Sequence, residues 1–199
     1  MRLTDQSRQI VLAVLRGPPE APQQGYLYGI VDASRGPMTI PPTLQAMTDK
    51  VTCLYRGKAL EEFGDDTAWV ARIAPDESVL DWLLDNGFGE RWAIFVRSSL
   101  QLPDMVRHLR KFTMIEDAEG TVHFFRFYDP RTLRQYLPVF EPEQHQAFFR
   151  GMDAFYCEND IRPDEFLRFT SDDGALRRDV ISLTAETVTT AGASEGTRP

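Results

Sequence analysis

Short runs of apolar residues, bounded by glycine, proline and aspartate, recur along the first two thirds of the chain. Runs of this length with turn-forming residues at both ends are typical of buried strands. The sequence therefore predicts strands at residues 26–31, 53–55, 67–73 and 92–96. Residues 114–116 and 122–128 flank a segment that contains Gly120. Because glycine can take a positive φ in a tight turn, these two runs predict a hairpin.

Apolar residues spaced three and four positions apart predict helices between the strands. A first helix is expected after a cap at Thr4 or Asp5. Two more are expected near Pro75 and Pro103, since proline is tolerated in the first helical turn. Strands that alternate with helices favour an α/β fold, with a mixed β-sheet lobe flanked by helices over residues 1–130.

After residue 130 the apolar spacing becomes helical, first through Leu133 and Leu137 and then along a run from Pro142 to Phe149. We therefore expect a smaller, mostly helical lobe over residues 131–184. Residues 185–199 are rich in threonine, glycine, alanine and serine and have no periodic apolar face, which predicts a flexible tail.

An aromatic run lies at residues 123–128 and ends in an Asp-Pro pair. Its alternating positions are apolar on both faces, so a strand here should be covered on both sides, with Phe125 and Phe127 buried. Asp129 is then expected to cap a helix that has Pro130 at its first position, because proline has no N–H group to leave unpaired.

Asp32 and Arg126 are expected to have structural roles. Asp32 ends the first predicted strand, where it should act as a cap or turn former, although α/β proteins also place site residues at strand ends. Arg126 interrupts the apolar pattern of its strand. Because a buried guanidinium needs a carboxylate or carbonyl partner, we expect Arg126 to pair with Asp32 or Asp129.

The chain has 199 residues, of which 42% are hydrophobic, so it can bury a sizeable core. No apolar run approaches the roughly 20 residues that span a bilayer, and the first residues lack the apolar segment of a signal peptide. We expect a cytoplasmic protein that does not bind membranes. Cys53 and Cys157 are too few for a disulfide framework and are expected to be reduced and buried.

No constellation of residues predicts catalysis. The three histidines have no metal-ligand spacing, and the sequence contains no hydrolase nucleophile elbow, phosphate loop or dinucleotide fingerprint. Adjacent carboxylates such as Glu61 and Glu62 are expected to be solvated loop residues. We therefore nominate no catalytic residue, metal or cofactor and expect no small-molecule substrate. A small hydrolase or transferase with an unrecognised active site is the alternative.

The charge is unevenly distributed along the chain. Residues 91–134 contain eight Lys or Arg and five Asp or Glu, whereas both flanks are acidic. Arg107, Arg110 and Lys111 form either the solvated face of one helix or a patch that faces a partner. A nucleic-acid binder could use such a patch beside stacking residues Phe124, Phe125 and Tyr128. The net charge of −8 and the pI of about 4.9 argue against that function.

Four blocks of sequence, in this order and spacing, resemble the type VI secretion adaptor family, whose members are effector chaperones. The blocks are residues 26–33, 53–55, 92–98 with 109–112, and 124–131. The resemblance covers about residues 26–156, and its last block, FFRFYDPR, is the most specific. It implies a non-enzymatic adaptor with two protein partners, a cognate secreted toxin effector and the VgrG spike protein.

The predicted helical lobe is a candidate effector-binding region. Large aromatic residues often dominate interface energies, and this short acidic segment carries more of them than its own core should need. The candidate anchors are Tyr136, Phe140, Phe148, Phe149 and Phe155. The candidate acidic surround is Glu141, Glu143 and Asp153, together with Glu158 and Asp160. Each aromatic residue could instead face the core, since aromatic residues at helical spacing usually point inward.

Overall fold

The computed structural model describes residues 3–17, 25–57, 60–61, 67–75, 77–116 and 119–184. Its helices are α1 (Asp5–Arg16), α2 (Ile40–Met47), α3 (Val79–Gly87), α4 (Leu102–Leu109), α5 (Pro130–Tyr136) and α6 (Pro142–Phe148). Short 3-10 turns lie at Ala33–Arg35, Arg110–Phe112 and Leu137–Val139. The strands are β1 (Tyr26–Asp32), β2 (Val51–Cys53), β3 (Ala68–Ile73), β4 (Ala93–Ser98), β5 (Met114–Glu116), β6 (Val122–Phe124), β7 (Met152–Glu158), β8 (Glu165–Asp172) and β9 (Ala175–Ser182).

Seven of these strands form one sheet in the order β2-β3-β1-β4-β7-β8-β9. Each neighbouring pair that the structure describes in this sheet is antiparallel. Helices flank the sheet, so the α/β class predicted from the sequence is confirmed. The alternation of strands and helices had suggested a sheet with both parallel and antiparallel pairs. The described sheet is antiparallel instead, because its helices do not connect neighbouring parallel strands.

The centre of the sheet is buried, as the apolar runs predicted. Tyr28, Ile30 and Val31 on β1 are fully buried, between β3 and β4. The helix α1 begins at the expected cap, where the Thr4 side chain accepts a hydrogen bond from the backbone N–H of Ser7 at 3.1 Å. Such a cap satisfies one of the free N–H groups of the first turn. Among the described residues, no helix has both the length and the apolar character needed to cross a membrane.

The chain after residue 130 differs from the predicted helical lobe. Helices α5 and α6 lie where helical spacing was found, but β7, β8 and β9 follow them and extend the main sheet. The central pairing of β7 with β4 carries the sheet across the boundary predicted at residues 130 and 131. Periodicity cannot separate a short buried strand from a buried helix, so the distant partner β4 decides the conformation of β7. The predicted tail, 185–199, lies outside the described residues.

The helix α2 tolerates Pro41 and Pro42 because both lie in its first turn. One local prediction also needs correction. The strand predicted at residues 53–55 is instead β2, two residues earlier in the chain.

The predicted hairpin forms, but it is separate from the main sheet. Among the strands that the structure describes, β5 and β6 pair only with each other, and β6 ends at Phe124. The prediction of a longer strand covered on both sides was therefore wrong. Residues 125–128 leave the strand and turn inward, where Phe125 and Phe127 are buried as expected. These two rings pack against α5 and α6 and do not join a sheet. The ring centres of Phe127 and Phe148, for example, are 5.7 Å apart.

Candidate functional site

Asp32 lies at the end of the central strand β1 and is completely buried. Its Oδ1 accepts hydrogen bonds from the Ser34 backbone N–H at 3.2 Å and from the Ser34 hydroxyl at 2.7 Å. Its Oδ2 accepts a hydrogen bond from the Arg126 guanidinium at 2.5 Å. The predicted cap and the predicted ion pair are both confirmed. Arg126 itself is half exposed, so the buried member of the pair is the carboxylate and not the guanidinium.

Asp129 repeats this arrangement at the start of α5. Its Oδ1 accepts a hydrogen bond from the Arg131 backbone N–H at 2.9 Å, and Pro130 occupies the first helical position, as predicted. The guanidinium groups of Arg131 and Arg35 donate to Oδ2 at 2.6 and 3.4 Å. Burial alone would raise the pKa of Asp129, but the hydrogen bonds and the charges of these arginines outweigh it and hold the pKa below its usual value.

Two tyrosines lie behind this charged cluster. The hydroxyl groups of Tyr55 and Tyr128 are 3.4 Å apart, and burial raises the pKa of both. Both side chains are buried, as is Phe125. A stacking platform for nucleic acid made of Phe124, Phe125 and Tyr128 is therefore contradicted, because two of its three rings are inaccessible to a base.

The five candidate anchors divide into core and surface residues. Phe148, Phe149 and Phe155 are buried and contact one another, with the rings of Phe148 and Phe155 stacked at 4.8 Å between centres. These three residues form core and offer no contact surface in this conformation. Tyr136 is 40% exposed and Phe140 is partly buried, so both reach the surface.

The acidic surround is also only partly at the surface. Glu141, Glu143 and Asp153 are exposed. Asp160 forms an ion pair with Arg134 at 3.0 Å. Glu158 is buried, which the sequence did not reveal because a charged residue at the end of a strand is usually solvated.

In the part of the chain that the structure describes, the most extensive set of exposed apolar side chains lies on the hairpin of β5 and β6. We call this set the hairpin surface: Met114, Ile115, Val122 and Phe124, with exposed fractions of 40–60%. The register pairs Met114 with Phe124 and Glu116 with Val122, so Met114, Val122 and Phe124 share one face of the hairpin. Ile115 lies on the opposite face.

The residue that follows the hairpin surface contacts the two candidate anchors that reach the protein surface. Phe125, which follows Phe124 in the chain, lies 5.4 Å from Tyr136 and 6.1 Å from Phe140 between ring centres. Val139 in the next turn is 69% exposed. Sequence reasoning missed Val139 and the hairpin residues as contact candidates. The available signal was the apolar character of both faces of residues 122–128, which fits a docking surface as well as a strand covered by the same chain.

The basic residues of α4 and its extension have different roles. Arg110 donates to the backbone carbonyl oxygens of Leu54 at 2.6 Å and Cys53 at 3.2 Å, so it joins this segment to the end of β2. Arg107 and Lys111 are exposed, and Arg107 pairs with Asp104 on the helix surface. Of the three residues in the candidate basic patch, Arg110 therefore binds within the chain and is not available to a partner.

Reactive groups do not converge at any described position. Cys53 and Cys157 are unbonded thiols in the core, as predicted, and burial raises the pKa of Cys157. In the part of the chain that the structure describes, no group of three or more His, Cys, Asp or Glu residues is arranged to hold a metal ion.

Fold and surface together define a small α/β domain with an apolar hairpin and a charged cluster beside it. Comparison with protein families matches residues 27–147 to the family described as "Domain of unknown function (DUF4123)". The match spans more than half of the chain, and the chain belongs to this family. No curated protein and no solved structure gives a significant match.

Proposed function

We propose that this protein is a non-enzymatic adaptor that binds a cognate type VI secretion effector and loads it onto the VgrG spike. The observation that carries the proposal is the family match over residues 27–147, because that domain family is compatible with type VI secretion adaptors. The matched range includes nearly all of the four sequence blocks that resemble adaptors.

The hairpin surface supports a binding role. An isolated two-stranded hairpin is only marginally stable in water, and contiguous apolar side chains on a surface are typical of protein interfaces. Both conditions apply to β5 and β6, whose described residues are all exposed. A partner that covers Met114, Val122 and Phe124 would bury these side chains and stabilise the hairpin.

We assign the hairpin surface, extended by Tyr136 and Phe140, to effector binding. A few large side chains usually supply most of the free energy of an interface, and Phe124 and Tyr136 are the largest exposed candidates. Glu141, Glu143 and Asp153 remain candidate rim residues. Rim charges act chiefly on association rates, so their partner would carry Lys or Arg beside its apolar residues.

Co-purification tests this assignment. The protein is expressed with the products of the neighbouring effector and VgrG genes, as wild type and as the double variant Met114→Ser, Val122→Ser. We expect a stoichiometric complex with the effector and a loss of affinity of about tenfold or more in the variant, since each 1.4 kcal/mol corresponds to about tenfold. Val180→Ser is the matched control, because Val180 is 51% exposed but lies on the distant edge strand β9.

Equal loss in the hairpin variant and in Val180→Ser would place the effector elsewhere. Absence of any complex with the wild type, or turnover of a substrate that depends on one carboxylate or histidine, would contradict the adaptor function and favour the hydrolase or transferase alternative. In cells, deletion of the gene should abolish delivery of one effector and leave the secretion apparatus active.

A second measurement tests the acidic rim. Reversal of charge at Glu141, Glu143 and Asp153 should slow association with the effector and reduce its dependence on salt. The variant must first be shown to be folded by circular dichroism. Unchanged association kinetics at low salt would show that the effector does not approach these residues.

A further inference from the structure

A polar cleft lies at the carboxyl end of β7, next to the loop that joins α3 to β4. It has a volume of about 160 Å³ and is lined by Phe88, Gly89, Arg91, Glu158, Asn159, Asp160 and Pro163. A single water needs only about 10–15 Å³ of such space. The cleft therefore has room for a chemical group larger than one water.

Two of the four polar side chains that line the cleft, Asn159 and Asp160, already have partners within the chain. Asn159 donates from Nδ2 to Glu165 at 2.8 Å, and its Oδ1 accepts from the Ile161 backbone N–H at 3.2 Å. Asp160 accepts a hydrogen bond from Arg134 at 3.0 Å. These groups are held by the protein itself and are not available to orient a ligand.

Two residues that line the cleft each carry a buried polar atom with no hydrogen-bond partner: Oε1 of Glu158 and Nε of Arg91. Glu158 is only 7% exposed, and its other oxygen, Oε2, accepts a hydrogen bond from the Gly89 backbone N–H. Buried polar atoms nearly always have partners, so an unpaired acceptor and an unpaired donor on two residues that line one cleft need an explanation. A ligand that offers one donor and one acceptor would satisfy both.

The backbone beside these atoms is held in an unusual conformation. Arg91 has a φ of 61°, in the left-handed region that side-chain-bearing residues rarely adopt. Strain of this kind persists where the surrounding structure enforces it and is concentrated at binding sites. Gly89 has a φ of 84°, which glycine adopts without strain, and its N–H donates to Glu158.

We propose that this cleft binds a side-chain carboxamide, the group of asparagine or glutamine, presented by a protein partner. A carboxamide carries N–H donors and a carbonyl acceptor on one planar group, which matches Glu158 Oε1 and Arg91 Nε–H. A carboxylate ligand would meet a second carboxyl group at Glu158, and an ammonium ligand would meet the guanidinium of Arg91. The identity of the partner rests on the proposed adaptor function, but the recognition of the carboxamide does not.

The first test uses propanamide as the probe and the full-length protein labelled with nitrogen-15. The Gly89 backbone N–H and the Arg91 Nε–H signals are followed by NMR at pH 8. Propanamide should shift both signals along a saturable curve. Butanone, which lacks the donor, and propanoate, which lacks the donor and carries a charge, should bind about tenfold more weakly or not at all, since an unpaired buried group opposes each of them.

Two variants keep this test decisive. Glu158→Leu removes the acceptor, and Arg91→Lys removes the Nε–H group without removing the charge. Either variant, shown to be folded, should lose the saturable shift with propanamide, and Arg91→Lys serves alone if Glu158→Leu does not fold. Equal shifts with all three probes would show that the cleft does not select a carboxamide, and no shift with any of them would show that it holds only water. Either result would overturn the proposal.

A second test addresses the partner. Arg91→Lys is placed in the co-purification with the effector and VgrG, and its complex with one of them should be weakened about tenfold. Propanamide binding together with an unaffected complex would overturn the assignment to a protein partner and point to a free carboxamide. If the wild type forms no complex at all, the adaptor function fails, whereas the propanamide result still decides whether the cleft recognises carboxamides.

Discussion

The buried carboxylates of Asp32 and Asp129 differ from that of Glu158 in how completely the protein pairs them. All four carboxylate oxygens of Asp32 and Asp129 accept hydrogen bonds from within the chain. Glu158 is buried to a similar extent, but only one of its oxygens has a described hydrogen-bond partner. The charges that oppose these carboxylates differ as well, since arginines contact both aspartates whereas the Arg91 guanidinium makes no ion pair within 4.0 Å among those described.

This difference separates a structural site from a candidate binding site. A fully paired carboxylate fixes the elements around it, here β1, the turn Ala33–Arg35 and the start of α5. A half-paired carboxylate costs folding free energy that the chain does not recover by itself. We infer that Asp32 and Asp129 hold the fold together, whereas the Glu158 cleft is arranged for a ligand.

The largest effect is expected from the packing behind the aspartate cluster. Phe127 is fully buried, so Phe127→Ala should lower the free energy of unfolding by about 3–5 kcal/mol, through lost apolar burial and the cavity left behind. Urea denaturation measures this change. Phe124→Ala is the control, because Phe124 is 52% exposed and should lose about 1 kcal/mol or less. A similar loss in both variants would contradict the inward turn after β6.

Removal of the paired carboxylate should have the next largest effect. Asp32→Ala removes a cap and leaves Arg126 without its carboxylate. Breaking a wholly buried pair costs about 3–5 kcal/mol, but Arg126 can reach solvent, so we expect about 2–3 kcal/mol in urea denaturation. Asp104→Ala breaks the exposed pair with Arg107 and should cost less than about 1 kcal/mol. Equal losses would show that the Asp32–Arg126 pair stabilises the fold no more than the exposed Asp104–Arg107 pair does.

The stability contributed by Glu158 should fall as the pH rises, which is the opposite of what a carboxylate paired with arginine contributes. Burial raises the pKa of Glu158 to about 7, although the Gly89 and Arg91 N–H groups act against it. The folded state then holds a proton that the unfolded state has released between about pH 4.5 and 7, so the stability contributed by this group falls as pH rises through that range. Glu158→Gln cannot ionise and should be more stable than the wild type at pH 8, on the order of 2 kcal/mol, but not at pH 4.5.

Urea denaturation of both proteins at the two pH values measures this difference. Glu143→Gln serves as the control for titration of an exposed carboxyl group and should follow the wild type. A constant difference between Glu158→Gln and the wild type at both pH values would show that Glu158 ionises as readily in the folded state as in the unfolded chain.

The smallest effect on stability is expected at Arg91. Glycine adopts a positive φ without strain, but it loses more freedom on folding, so Arg91→Gly should change the free energy of unfolding by less than about 1 kcal/mol. It should nevertheless abolish the NMR response of Gly89 to propanamide. Asp173→Gly changes the other described residue with a positive φ that is not glycine, and it should leave that response intact. A large loss of stability in Arg91→Gly would assign Arg91 a structural role.

Local features of the fold could be predicted from short stretches of sequence. The cap at Asp32 and the Asp129-Pro130 helix start each depend on contacts within two residues, so residue type and position were enough to predict them. For the first helix they left Thr4 and Asp5 as alternatives, and the structure selects Thr4. The pairing of Arg126 with an aspartate was also predicted, with Asp32 or Asp129 as the partner, but the expected burial of the guanidinium was wrong, because Asp32 is the buried member of the pair.

The candidate sites could not be predicted in the same way. The exposure of Met114 and Val122 depends on what the rest of the chain leaves uncovered, and apolar residues on both faces of a hairpin fit either a buried strand or a docking surface. The burial of Phe148, Phe149 and Phe155 likewise depends on how α6 meets β7.

The sequence by itself determined the α/β class, the buried strands around β1 and the local caps, because alternation, turn residues and hydrogen bonds between near neighbours act over a few positions. The tertiary structure alone decided that β7, β8 and β9 extend one antiparallel sheet, that the β5–β6 hairpin lies apart from it, and that Glu158 is buried beside Arg91. These outcomes depend on strand pairing and burial between residues far apart in the chain. For such contacts, the position of each residue along the sequence carries no direct signal.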